Sequence, residues 1–93
     1  MGDAEILTAL KVDLQISSGA MDVYLGQLIS AARGYISKEG IQLTGDIPDG
    51  MLVEMYAAYL YRRRREENVQ MPRMLRWAMN NRLFQQKAGA ADG

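Results

Sequence analysis

Ninety-three residues, 48% of them apolar, suffice for one folded domain and exclude global disorder. The chain has no cysteine, which excludes disulfides and thiolate chemistry, and no histidine, which removes the commonest general base and metal ligand. Its zero net charge conceals opposed parts: residues 1–60 hold three basic against eight acidic residues, net −5, and residues 61–93 hold eight against three, net +5.

Such polarity suits contact with a polyanion or head-to-tail contact between identical subunits. The alternative is that the two parts neutralise each other inside one monomer. A chain of this size buries only about 60–65% of the surface its unfolded form exposes, so assembly would add stability. Residues 1–16 lack a basic start followed by an apolar core, and no apolar stretch approaches the ~20 residues of a membrane span, so a soluble cytosolic product is expected.

The pattern predicts an all-α bundle of about four helices, over residues 3–14, 20–39, 49–67 and 72–87. In the first, Asp3 is the expected N-cap, and Ile6, Leu7, Leu10 and Leu14 share a face. Ser17-Ser18-Gly19 breaks the chain and offers a hydroxyl cap to the next helix. There Met21, Tyr24, Leu25, Leu28, Ile29, Ala32, Tyr35 and Ile36 keep helical spacing, the mark of a core face. Gly40 stops this helix, since glycine takes the left-handed conformation of a helix end.

Residues 40–48 form a loop in which Ile41, Leu43 and Ile47 are expected to lie on the core or to add a short extended piece, and Pro48 suits the first turn of the third helix. From Met51 to Tyr61 that helix carries one charge, Glu54, so nearly all its sides must be covered. Pro72 starts the fourth helix, with Leu75, Ala78, Met79 and Leu83 on one face and Met74, Trp77 and Phe84 widening it. Residues 1–87 thus read as one domain, and 88–93 as a small, uncapped, mobile tail.

No phosphate-binding glycine loop or activated nucleophile is present, so no enzyme, catalytic residue or cofactor is expected. Asp46 and Asp49 flank Pro48 at a helix start, where acids match the dipole, and too few oxygen ligands accompany them for a metal. The run Arg62-Arg63-Arg64-Arg65 stands out. Four successive helical residues sweep about 300°, so they cannot all meet one surface. A solvated, dipole-matched helix end with weak Arg62–Glu66 and Arg63–Glu67 pairs accounts for part of it. The uniform choice of guanidinium points further, to recognition of carboxylate or phosphate. Arg73, Arg76 and Arg82 extend the set of candidate partner-binding residues along the fourth helix. On this reading alone, a small nucleic-acid-binding regulator using Arg62–Arg65 on phosphates is one function open to the chain. Tyr59, Tyr61 and Trp77 lie on or beside apolar faces and are expected to pack rather than stack on bases.

Several segments recur in a familiar order: Leu10-Lys11-Val12-Asp13-Leu14-Gln15-Ile16, a polar break, and Leu28-Ile29-Ser30-Ala31-Ala32-Arg33-Gly34-Tyr35-Ile36. After the Pro48 loop come Ala57-Ala58-Tyr59-Leu60-Tyr61 running into Arg62 and the acids, then Met71-Pro72, an apolar helix and Arg82. Over about residues 5–83 this resembles the small head–tail connector (adaptor) proteins of tailed bacteriophages and prophages. The family commonly has a single arginine and glutamate after the tyrosine, where this chain has four and two, and Met79-Asn80-Asn81-Arg82 stands in place of a leucine-proline-arginine-like segment. The resemblance implies an all-helical structural protein of the virion, made in the bacterial cytoplasm. It further implies a homo-oligomeric ring beneath the capsid portal, meeting portal and tail or stopper proteins, with non-specific DNA contact in the channel and no membrane contact. Cyclic rings need heterologous interfaces, which a chain of opposed charge would suit.

Overall fold

The computed structural model describes residues 1–91 and contains four α-helices: α1 (Asp3–Leu14), α2 (Asp22–Lys38), α3 (Ile47–Arg65) and α4 (Arg73–Ala91). No strand occurs among the described residues, so the expected all-α bundle is the fold found. A 3-10 turn, Gly19–Met21, leads into α2, and the Ser18 hydroxyl accepts from the Ala20 amide at its start. The apolar periodicity of the sequence therefore set the number and order of helices; their ends depend on local hydrogen bonding.

At the start of α1 the cap is Gly2, one residue before the expected Asp3, and the Glu5 carboxylate reaches back to the Gly2 amide at 3.1 Å. That frees Asp3 to accept from Arg33 on α2 at 2.7 Å. The end of α1 is set by Gln15, in the left-handed region at φ 58°, so that the Ile16 amide can donate back to the Lys11 carbonyl at 2.9 Å. Gly40, at φ 94°, closes α2 as expected, its amide on the Ser37 carbonyl. α3 ends at Arg65, because Glu66 is extended at φ −133° and Asn68 turns the chain at φ 64°. Glu66 and Glu67 thus leave the helix, and the expected Arg62–Glu66 and Arg63–Glu67 pairs are not formed. α4 runs past the expected end at residue 87 through Ala88 to Ala91, where alanines favour helix. The remainder of the expected tail, Asp92 and Gly93, lies outside the described residues.

α3 is the central element and packs against α1, α2 and α4. Cross-element pairs give the directions. Asp3 meets Arg33 and Lys11 meets Asp22, so α1 and α2 are antiparallel. Tyr35 stacks on Tyr56, and the Arg64 guanidinium lies over Tyr24, so α2 and α3 are antiparallel. Asp49 meets Arg82 while Met55 and Trp77 line one groove, so α4 also runs against α3. Central placement satisfies the demand made by the greasy stretch of α3: Leu52, Val53 and Tyr56 through Leu60 are buried. Ile6 and Leu10 from α1, Leu25, Leu28, Ile29, Ala32 and Ile36 from α2, and Leu75 and Met79 from α4 complete the core.

The molecule measures 46 × 30 × 18 Å, and the short axis is about two helix diameters. So thin a body cannot cover both sides of every helix. Met74, Trp77 and Phe84 were expected to widen the core face of α4; they are instead 65%, 63% and 73% exposed, because Leu75 and Met79 already fill the contact with α3. Ile47, expected on the core with Ile41 and Leu43, is 65% exposed, since it opens α3 rather than closing the loop; Ile41 is buried.

Candidate functional site

Six of the seven arginines singled out in the sequence divide into two groups. Arg62, Arg76 and Arg82 are held by carboxylates of residues 1–60. The Arg62 Nη2 lies 3.3 Å from Asp13 Oδ1 on α1, and the Arg76 Nη1 donates to both oxygens of Glu39, at 2.9 and 3.1 Å. Three ion pairs therefore join the acidic and basic parts within one monomer, as the intramolecular alternative required.

Arg82 is the most committed of these. Its Nε donates to Asp49 Oδ1 at 2.7 Å, and its Nη2 donates to Asp49 Oδ2 at 3.1 Å and to the Gln42 carbonyl at 2.7 Å. Asp49 also accepts from the Thr44 amide and hydroxyl, at 2.7 and 2.9 Å, and is only 4% exposed. Burial pushes the Asp49 carboxyl up, but the hydrogen bonds from Arg82 and Thr44 outweigh it and hold it below its ordinary value. One turn on, the Gln86 amide group donates to the Gly40 carbonyl and accepts from the Gln42 amide. Arg82 and Gln86 thus pin the 40–46 loop to α4. A residue expected to meet a partner is here a clamp on its own fold.

Arg63, Arg64 and Arg65 form the second group. Each lies over a tyrosine ring: Arg63 over Tyr59 at 5.7 Å, Arg64 over Tyr24 at 5.8 Å and Arg65 over Tyr61 at 5.3 Å. The Tyr61 hydroxyl also accepts from Arg65 Nη1 at 3.1 Å. None of the three forms an ion pair among the described residues. Ring contact orders an arginine while leaving its charge and most of its donors unsatisfied by the protein. The result is a cationic collar around the end of α3, spread over the wide arc that helical geometry imposes. Two of these contacts were readable as Tyr-to-Arg spacings of four; the third, Arg64 on Tyr24, joins α3 to α2 and needed the fold.

Arg73 opens α4, is exposed and has no ion pair among the described residues. Beside it the apolar strip of Met74, Trp77 and Phe84 runs down the outer side of α4. Between α4 and α3 lies a groove of about 310 Å³, with Met51, Leu52, Met55, Trp77 and Ala78 among its walls. Tyr59 packs as expected, 9% exposed, whereas Trp77 does not.

Sequence reasoning passed over one further cluster. Glu54 on α3 lies against Asp13 of α1, which also holds Arg62. Burial, then the hydrogen bond to Asp13 and its charge, push the Glu54 carboxyl up to about 8, with Arg62 opposing. Protonation of Glu54 relieves its repulsion with Asp13 where α1 meets α3. The only signal in the sequence was a lone acid in an apolar stretch.

No helix among the described residues is long and apolar enough to cross a membrane. Comparison with protein-family models, with curated proteins and with solved structures finds no match to this chain.

Proposed function

We propose that this chain is a non-enzymatic structural adaptor of a tailed-phage particle. In this reading copies assemble into a ring that joins the capsid portal to tail or stopper proteins, and DNA passes through its centre. The observation that carries the reading is the presence of two chemically unlike uncovered surfaces on one thin bundle. One is the Arg63–Arg64–Arg65 collar and the other is the apolar strip on α4. An adaptor needs unlike contacts on a rigid body; a monomer needs neither. The order of sequence segments that resembles head–tail connectors supports the same assignment.

Native mass measurement of the chain alone and mixed with portal protein tests the proposal, with negative-stain imaging of the mixture. A closed multimer in either sample is expected. A monomer in both, at high concentration and low salt, refutes it.

The collar also favours a second reading, a helical module that binds nucleic-acid phosphates. Three uncommitted guanidiniums would give a log–log salt slope of about −2.7 on duplex DNA. Alanine at positions 63, 64 and 65 that abolishes assembly but leaves DNA affinity unchanged excludes this second reading.

A further inference from the structure

Met74, Trp77, Asn81 and Phe84 follow one another at spacings of three, four and three, the repeat that presents a continuous seam to a neighbouring helix. The three apolar members are all more than 60% exposed. At those exposures Trp77 and Phe84 alone leave roughly 250 Å² uncovered. With Met74 and with Met51 across the groove the patch reaches roughly 400 Å². That is about half of the ~800 Å² each partner contributes to a standard interface. The groove of about 310 Å³ runs along one edge of this seam. The opposite edge carries, at successive helical repeats, Arg73, Asn80 and Lys87. Neither Arg73 nor Lys87 has an ion-pair partner among the described residues.

These charges select the occupant. An antiparallel α4 from a second copy would set Arg73 against Lys87, and a parallel one would offer no carboxylate. The acidic helix α1 of a second copy is a poor substitute, since its Asp3 and Asp13 are already held by Arg33 and Arg62 and its Glu5 caps its own helix on the Gly2 amide. We propose that the outer face of α4 is a docking seam for an amphipathic helix of a different protein, whose apolar side is bordered by carboxylates. This rests on the adaptor reading, of which it names the chemistry of one partner.

Trp77 is the chain's single tryptophan, so its fluorescence reports the seam directly. The probe is a synthetic 21-residue helical peptide with a leucine seam and glutamate borders, compared with the same peptide carrying lysine borders. The glutamate peptide should shift Trp77 emission to the blue and saturate, and the lysine peptide should bind at least ten-fold more weakly. The double variant Arg73→Glu/Lys87→Glu should reverse that preference, with an unchanged melting temperature because both residues are exposed and unpaired. Equal binding of both peptides, or no shift with either, overturns the inference. So does a blue shift on concentrating the protein alone, which would mean that a second copy covers the seam. If the chain assembles with portal but ignores the glutamate peptide, only this inference fails. If it binds the peptide but never assembles, only the adaptor reading fails.

Discussion

Replacing Arg82 with alanine separates a residue that holds the fold from one that meets a partner. Arg82 supplies three hydrogen bonds, two of them to Asp49, which is 4% exposed. Without Arg82 the carboxylate keeps only the two donors of Thr44. Breaking a buried pair by removing one partner costs about 3–5 kcal/mol. Arg82 itself lies at the rim, with its side chain 20% exposed, so water recovers part of this and about 2–4 kcal/mol is expected. In a domain of this length each kcal/mol moves the midpoint by about 4–8 °C, so thermal melts followed by circular dichroism should show a fall of roughly 10–30 °C at pH 7. The folded-state pKa of Asp49 lies below its unfolded value of 3.8. Its contribution is therefore present above that value and lost as pH falls through the folded pKa, so the deficit should narrow in acid. Adding Asp49→Asn, which keeps an acceptor for Thr44 without the buried charge, should recover at least 1 kcal/mol of the ~2–4 lost. A variant melting within about 3 °C of the parent, or a deficit that does not change from pH 7 down to the most acidic pH at which the parent stays folded, would refute the clamp.

Glu54 has a folded-state pKa of about 8, above its ordinary 4.5, so its contribution is full below the lower value and declines as pH rises through the higher. The parent should lose thermal stability from pH 4.5 up to about 8, whereas Glu54→Gln should stay nearly flat over that window and melt higher above it; parallel profiles would exclude the raised Glu54 carboxyl. Two glycines should respond in opposite senses. Gly34→Ala, inside α2 with open space around its Cβ position, should stabilise by about 0.8–1 kcal/mol. Gly40→Ala, at φ 94°, should destabilise by about 1–2 kcal/mol. Urea titrations at constant m-value read both, and the same sign for the two would contradict the assigned backbone geometry.

Much of the architecture was legible because helical periodicity is local. The stripe from Met21 to Ile36 needs no partner to be recognised, and Gly40 and Pro48 act on their own dihedral angles. Apolar character without direction was less informative. α4 carries apolar residues around much of its circumference, and sequence spacing does not say which side meets α3. The packing of Leu75 and Met79 decided it, leaving Met74, Trp77 and Phe84 outside. The candidate contact residues divided in the same way. A run of four arginines announced a cationic helix end, yet nothing in the run distinguishes Arg62, held by Asp13, from Arg64, held over a ring on α2.

By itself, then, the chain determined an all-helical bundle, the order of its helices and the basic character of the end of α3. These follow from the period of apolar residues and from residues that act on their own backbone. Tertiary structure decided which arginines are neutralised and which side of α4 is left uncovered, and it brought Glu54 to Asp13. The candidate arginines and their carboxylates are 33 to 49 residues apart, and electrostatic and packing energies act over ångströms, not along the sequence.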